Sequence, residues 1–432
     1  MLSEEPNFRA LIVNPFPIGA NNPTGITMRN NFKGLKPNRV FQIYFHECRI
    51  IDGNEYKSIK ANLSLSLFKK IKLRTKKFAD NIKNVFPPHL LNINKKIDSK
   101  SDIKLINTGK HGSVISSWVD IVSPIYISPE IKKKIIEFRP TVVYTQGYNL
   151  RVLKYASRIA SDFDCKLVLH TLDDWMTPIY SDNFLASIPR EMLKKKIEKI
   201  VNNGKKHIVA NPILIDEMKN RYGGDYAFVM NCVDLNTNNL EINKREMRKS
   251  FRIVYAGGLM LERWKALIDI GKCVESINST GGNIIFDVYS PNEQIASYKK
   301  YLDKYMNLHE YVDQDNLIKI MSNCDLLVHV ESFNENVWKY TKFSLSTKVP
   351  ECLTAKKPFL YYGPKEVGVS KFLTLNKIGL CTNNVDELMT MLDLIINDNK
   401  YRDDLALKGY IFAKDVFDKE KMQSILVNCL NT

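Results

Sequence analysis

Residues 251–267 read FRIVYAGGLMLERWKAL, and their order decides the architecture. β-Branched and aromatic residues run from Phe251 to Ala256, stop at Gly257-Gly258, and give way after a short turn to helical spacing from Arg263 onward. A strand that turns through glycine into a helix is half of a βαβ unit. The same alternation recurs on both sides of this stretch. FRALIVNPF, RVFQIYFH, TVVYTQG, KLVLHTL and HIVANP lie in the first half, and IIFDVYS, LLVHVES and PFLYYG follow in the second, with helix-period sequence between them. Buried strands separated by helices predict an α/β fold with right-handed crossovers and parallel sheets.

At 432 residues the chain exceeds what one hydrophobic core usually serves, so two sets of strands predict two Rossmann-like domains facing each other across a cleft. The first domain spans 1–235, the polar stretch 236–250 is a linker, and the second domain spans 251–415. From Tyr401 to Thr432 the pattern is helical, with Ala406, Tyr410, Ala413, Phe417, Ile425 and Leu426 as core contacts. Its end, 416–432, is expected to pack back toward the first domain.

The composition is globular, 44% hydrophobic and 25% charged, and no apolar run reaches the roughly 18 residues that span a bilayer. MLSEEPNFRALIVNPF lacks the basic and apolar regions of a secretory signal, so the expected location is the cytoplasm. Eight cysteines are scattered singly without a C-x-x-C pair, which fits reduced, packed thiols. The histidines do not cluster at ligand spacing either, and no metal is expected.

A net charge of +16 favours an anionic partner. From Leu63 to Phe86, Leu67, Ile71, Phe78, Ile82 and Val85 recur at helical spacing among Lys69, Lys70, Lys72, Arg74, Lys76 and Lys77, until Pro87-Pro88 stops the helix. This basic amphipathic insertion is read as an element for the inner, anionic membrane face, with a solvated outer helix as the alternative. Lys132 to Lys134 and Lys194 to Lys196 lean the same way. The basic residues are not interleaved with stacking aromatics, so no nucleic acid is expected.

Two glycine turns mark candidate ligand contacts at the carboxyl edges of the sheets. The loop after the first strand carries Gly19 and Gly25, and Gly25 is a substrate-binding candidate. The spacing is not G-x-G-x-x-G, which discounts a nicotinamide or flavin enzyme. Gly257-Gly258, followed by Arg263 and Lys265 at a helix start, makes a place for a diphosphate, where free amides meet two cations.

The stretch 343–364, FSLSTKVPECLTAKKPFLYYGP, sets Ser346-Thr347-Lys348 before a short helix with Glu351, then Pro358 before a buried strand. It resembles the C-terminal domain of GT-B-fold glycosyltransferases of the large retaining family that builds bacterial capsular and lipopolysaccharide sugars. HIVANPILIDEMKNRYGG with FVMNCVDL, and NLIKIMSNCDLLVHVESF, resemble that family's segments in the same order, from Pro140 onward. The resemblance implies a metal-independent hexosyltransferase that needs no cofactor besides its donor, a UDP- or GDP-linked sugar, with a lipid-linked or polysaccharide acceptor. Arg263 and Lys348, with Thr347 beside them, would neutralise the donor diphosphate, and Glu351 would take the ribose hydroxyls. Gly257 and Gly258 would admit the pyrophosphate, and His170, in VLHTLDDW, would face the donor sugar. Asp173 or Asp174 would act as base in an inverting reaction, whereas in a retaining one, favoured by analogy, the leaving phosphate would take the acceptor proton. One departure stands out: the family commonly has a glutamate at the position of Phe343, and Glu331 or Glu335 could replace it. The alternatives are a nucleotide-sugar epimerase of the same fold, a non-enzymatic GT-B partner protein and a nucleic-acid-binding protein.

Overall fold

The computed structural model describes residues 8–50, 55–61, 118, 120–177, 184–204, 206–233, 250–339 and 341–431. The basic insertion 63–86 and all of the linker but residue 250 lie outside the described residues. Two parallel sheets form the frame. The N lobe holds β1 (Ala10–Asn14), β2 (Val40–Tyr44), β3 (Lys57–Lys60), β4 (Val142–Thr145), β5 (Lys166–Thr171), β6 (His207–Val209) and β7 (Tyr226–Phe228), ordered β3-β2-β1-β4-β5-β6-β7. In the C lobe β8 (Phe251–Ala256), β9 (Ile284–Tyr289), β10 (Asn307–His309), β11 (Leu326–Val330), β12 (Phe359–Tyr362) and β13 (Leu380–Thr382) are ordered β10-β9-β8-β11-β12-β13.

Each central strand is apolar on both faces because helices cover both, which is why those runs read as continuous hydrophobic stretches. β1 and β11 are buried at every position. The four edge strands, KSIK, YAF, NLH and LCT, are three or four residues long and carry no such run. They are also the strands that the hydrophobic runs do not mark.

The sequence pattern reads the tail as continuously helical, and the structure breaks it. Helices Asn399–Val416 and Lys419–Asn431 are separated at Phe417 and Asp418. Phe417 is fully buried in the C-lobe core, where Ala413 and Phe372 also lie. The chain then crosses lobes: Val233 donates its N–H to the Phe417 carbonyl at 3.1 Å. Met422, Leu426, Cys429 and Leu430 close the N-lobe core over Phe8, Ala10 and Tyr144. Gln423 Nε2 donates to the carbonyls of Lys33 and Asn30, at 2.6 and 3.0 Å, and fixes the helix in register.

That last helix is therefore structurally part of the N lobe. Truncating Leu426, which is 1% exposed, opens a cavity the surrounding core fills only in part. Leu426→Ala should lower unfolding stability by about 2–5 kcal/mol in urea titrations, whereas an exposed control on the same helix, Lys421→Ala, should change it far less.

Candidate functional site

The carboxyl ends of β5, β8 and β11 meet at the seam between lobes, where open α/β sheets place their ligands. Arg263 opens the helix Arg263–Ser279, after two residues held in the left-handed region, Leu261 at φ 58° and Glu262 at φ 57°. Its guanidinium reaches Glu331, just past β11, at 2.6 Å. Glu331 is 2% exposed and also lies 3.4 Å from His329 Nε2 and 3.4 Å from Thr341 Oγ1. Burial alone would raise the Glu331 carboxyl, but Arg263 and then His329 overcome it and hold the carboxyl well below its usual range. Arg263 keeps one buried atom, Nε, without a partner.

Asp173, on the loop after β5, faces this pair from the other lobe. Its side chain is exposed at the mouth of the seam, and the desolvation by the protein packed around it raises its carboxyl pKa. Ser344 and Arg263 act in the opposite direction, while Glu331 and Asp174 add to the rise. Two carboxylates of one site, Asp173 and Glu331, are thus pushed in opposite directions. Such divergence is the pattern of acid–base and charge-holding roles.

The second cation lies on the helix Lys348–Thr354. Lys348 Nζ is 2.7 Å from Glu351 Oε2, one turn on, and Thr347 precedes the helix as its cap residue. Asn231 of the N lobe donates to the Thr347 carbonyl at 3.2 Å and to Glu351 Oε1 at 3.4 Å. Asn231 thus ties the Lys348–Glu351 end to the N lobe, as Asp173 beside Ser344 and Arg263 does for the other end. Arg263, Thr347, Lys348, Glu351 and Asp173 therefore gather along one seam.

Other expected residues are placed elsewhere. His170 is fully buried, with Nε2 3.0 Å from the Val229 carbonyl and Nδ1 2.6 Å from the Tyr144 hydroxyl. A carbonyl only accepts, so Nε2 carries the proton and Nδ1 accepts from Tyr144. Neither ring nitrogen is left for a sugar, and burial pushes the imidazole pKa down to about 4. Asp174 is likewise engaged, paired with Arg221 at 2.8 Å and accepting from the Thr177 hydroxyl at 2.8 Å. Its neighbour Asp173 is the carboxylate that looks into the seam.

Neither glycine turn is shaped by a ligand alone. Gly25 lies inside the helix Pro23–Phe32, where its N–H is capped by Asn22 Oδ1 at 2.8 Å and a Cβ would fall 2.5 Å from Ala20. At Gly257 a Cβ would fall 2.7 Å from the Tyr255 hydroxyl, which itself donates to the Gly258 carbonyl at 2.7 Å. These glycines let the chain pack on itself. Lys265 turns away to Glu262, at 3.2 Å.

Ser344, Asn211 and Asn231 are the seam residues that sequence spacing does not reveal, because short polar residues in loops carry no period. Glu331 was legible only as one of two alternatives to the family glutamate, and the structure brings it, not Glu335, onto Arg263. Among the described residues no group of three or more His, Cys, Asp or Glu side chains is arranged to hold a metal ion. No described helix is long and apolar enough to cross a membrane.

No protein family and no curated protein matches the chain in sequence. Solved structures do match it in fold. HepE of Anabaena in complex with UDP and glucose superposes with a TM-score of 0.59 at 13% identity, covering 99% of this chain and 100% of that one. Sucrose-phosphate synthase from Thermosynechococcus elongatus gives 0.59 at 11% identity over 97% of each chain. A trehalose-6-phosphate synthase structure, described for glycosyltransfer with retention, gives 0.58 at 10% identity over 98% of each. The protein has the two-lobed GT-B fold, the architecture of these glycosyltransferases.

Both buried groups link stability to pH. Glu331 has a lowered folded pKa, so its contribution is complete above the ordinary 4.5 and is lost as the pH falls through about 2. His170 has a lowered folded pKa, so its contribution is complete above 6.5 and is lost as the pH falls through about 4. Wild-type melting temperature should therefore decline from pH 7 to pH 4 and decline less steeply in His170→Asn, where His207, buried and also held below the ordinary imidazole range, keeps part of the slope. Arg263→Ala strands a buried carboxylate and should cost roughly 3–5 kcal/mol at pH 7 by chemical denaturation, and Arg263→Ala/Glu331→Gln should recover much of that loss.

Proposed function

We propose that the protein transfers a hexose from a nucleotide-diphosphate sugar, with the interlobe seam as the transfer site. The observation that carries this reading is the convergence of Arg263 and Lys348 on one seam of a GT-B fold, opposite Asp173. Each cation has a carboxylate partner on its own lobe, so both cations are paired before a donor enters.

Lys348 is the cation free to move, with its side chain 31% exposed against 20% for Arg263. A diphosphate replaces Glu351 as the partner of Lys348, and Glu351, released, accepts from the ribose hydroxyls. Arg263 stays held by Glu331 and adds fixed positive charge where the leaving phosphate gains negative charge. Asp173, in its ionised form, accepts a hydrogen bond from the acceptor hydroxyl and orients it. Retention is the stereochemical outcome we favour, with the leaving phosphate taking the acceptor proton.

UDP is the proposed donor base, supported by the UDP and UDP-glucose complexes of the Anabaena protein with this fold. For the acceptor, the +16 charge and the basic sequence 63–86 support a lipid-linked or polysaccharide molecule at an anionic membrane face.

Purified protein incubated with UDP-glucose in EDTA should release UDP or transfer glucose, and Lys348→Ala should reduce turnover by about 10²–10³-fold. Unchanged turnover in that variant would remove the assignment. Incubating donor alone and finding an epimerised sugar would instead favour the epimerase reading.

A further inference from the structure

Phe343 belongs to the C lobe by sequence, yet its ring is buried in the N lobe. It is 8% exposed within a cluster whose other members, among them Leu150, Leu169, Met176 and Leu214, are all N-lobe residues. Arg221 lies over the ring at 5.4 Å, and is itself held by Asp174 and Glu217. The Phe343 carbonyl accepts from Asn211 Nδ2 at 2.8 Å. Gly368 completes the seat, because a Cβ there would fall 2.6 Å from Asn211 Nδ2 and 2.7 Å from the Ser344 carbonyl.

We infer that Phe343 is an interlobe latch, a positioning residue that seats in the N-lobe core and thereby sets Asp173 against Ser344, Arg263 and Glu331. The physical reason is the chain itself: Phe343 and Ser344 are adjacent, so the depth of the aromatic seat fixes how closely Ser344 approaches the loop carrying Asp173. Apolar burial supplies the closing force, and the Asn211 bond and Arg221 contact give it direction. The catalytic side of this inference rests on the proposed transfer reaction, while the closure itself does not.

Solution scattering without ligand, UDP affinity by calorimetry and kcat against pH on the full chain separate the possibilities. Phe343→Ala should expand the radius of gyration, hold UDP affinity within a few-fold, and lower kcat at least tenfold. Its acid limb should move to lower pH, since Asp173 would lose the walls that raise it while its charged and titratable neighbours Arg263, Glu331, Asp174 and Tyr148 rearrange. Phe343→Leu should restore both closure and kcat. Should Phe343→Ala fail to fold, Gly368→Ala pries the same seam with the ring intact and should give the same expansion. Unchanged scattering in a folded variant overturns the latch. Absence of UDP binding and turnover in the wild-type protein would defeat the transferase reading alone, and scattering would still decide on the latch.

Discussion

The buried ion pair between Arg263 and Glu331 organises the C-lobe half of the site. A guanidinium and a carboxylate taken out of water cost several kcal/mol each, and the mutual attraction offsets this only when geometry is close. At 2.6 Å the geometry is close, and the pair lies where β8 and β11 end side by side. The left-handed residues Leu261 and Glu262 turn the chain so that Arg263 starts its helix facing Glu331. Removing either charge leaves the other buried and unmatched, which ties the stability of the lobe to the electrostatics of its seam.

The N lobe contributes a different kind of order. Asn14, Gln146, Tyr144 and His170 form a chain of hydrogen bonds beneath the ends of β1, β4 and β5, with Gln146 N–H donating to Asn14 Oδ1 at 2.8 Å and Asn14 Nδ2 donating to Gln146 Oε1 at 3.1 Å. His170 ends this chain in the core. A satisfied buried network fixes loop positions without offering a reactive group. The carboxyl end of β5 is thereby anchored, and Asp173 projects from the loop that follows it into the seam.

Fold was legible in the sequence to the extent that burial on both sheet faces leaves long apolar runs. β1, β2, β4, β5, β6, β8, β9, β11 and β12 announce themselves, whereas the edge strands, exposed on one side and only three or four residues long, do not. Site residues divide along a similar line. Arg263 stands out in the sequence as a cation at a helix start after a glycine turn, and Lys348 and Glu351 only through the resemblance to the GT-B family; the structure places all three along the seam between lobes. His170 was misread because a strand-end histidine looks the same whether it faces a ligand or a tyrosine; only the third dimension brings Tyr144 and Val229 to its two nitrogens. Asp173 and Asp174 are adjacent and chemically equivalent, and the choice between them is made by Arg221, forty-seven residues from Asp174.

The crossing at Phe417 and Asp418 has a consequence for how the molecule is partitioned. Order along the chain and membership of a lobe do not coincide: the final helix completes the core that begins at Phe8. A fragment ending at 233 would leave an apolar groove uncovered, while residues 250–417 keep nearly all of their own interior. Recombination between relatives of this fold can thus exchange the second lobe as an insert, flanked on both sides by the first, more readily than it can append one lobe to another.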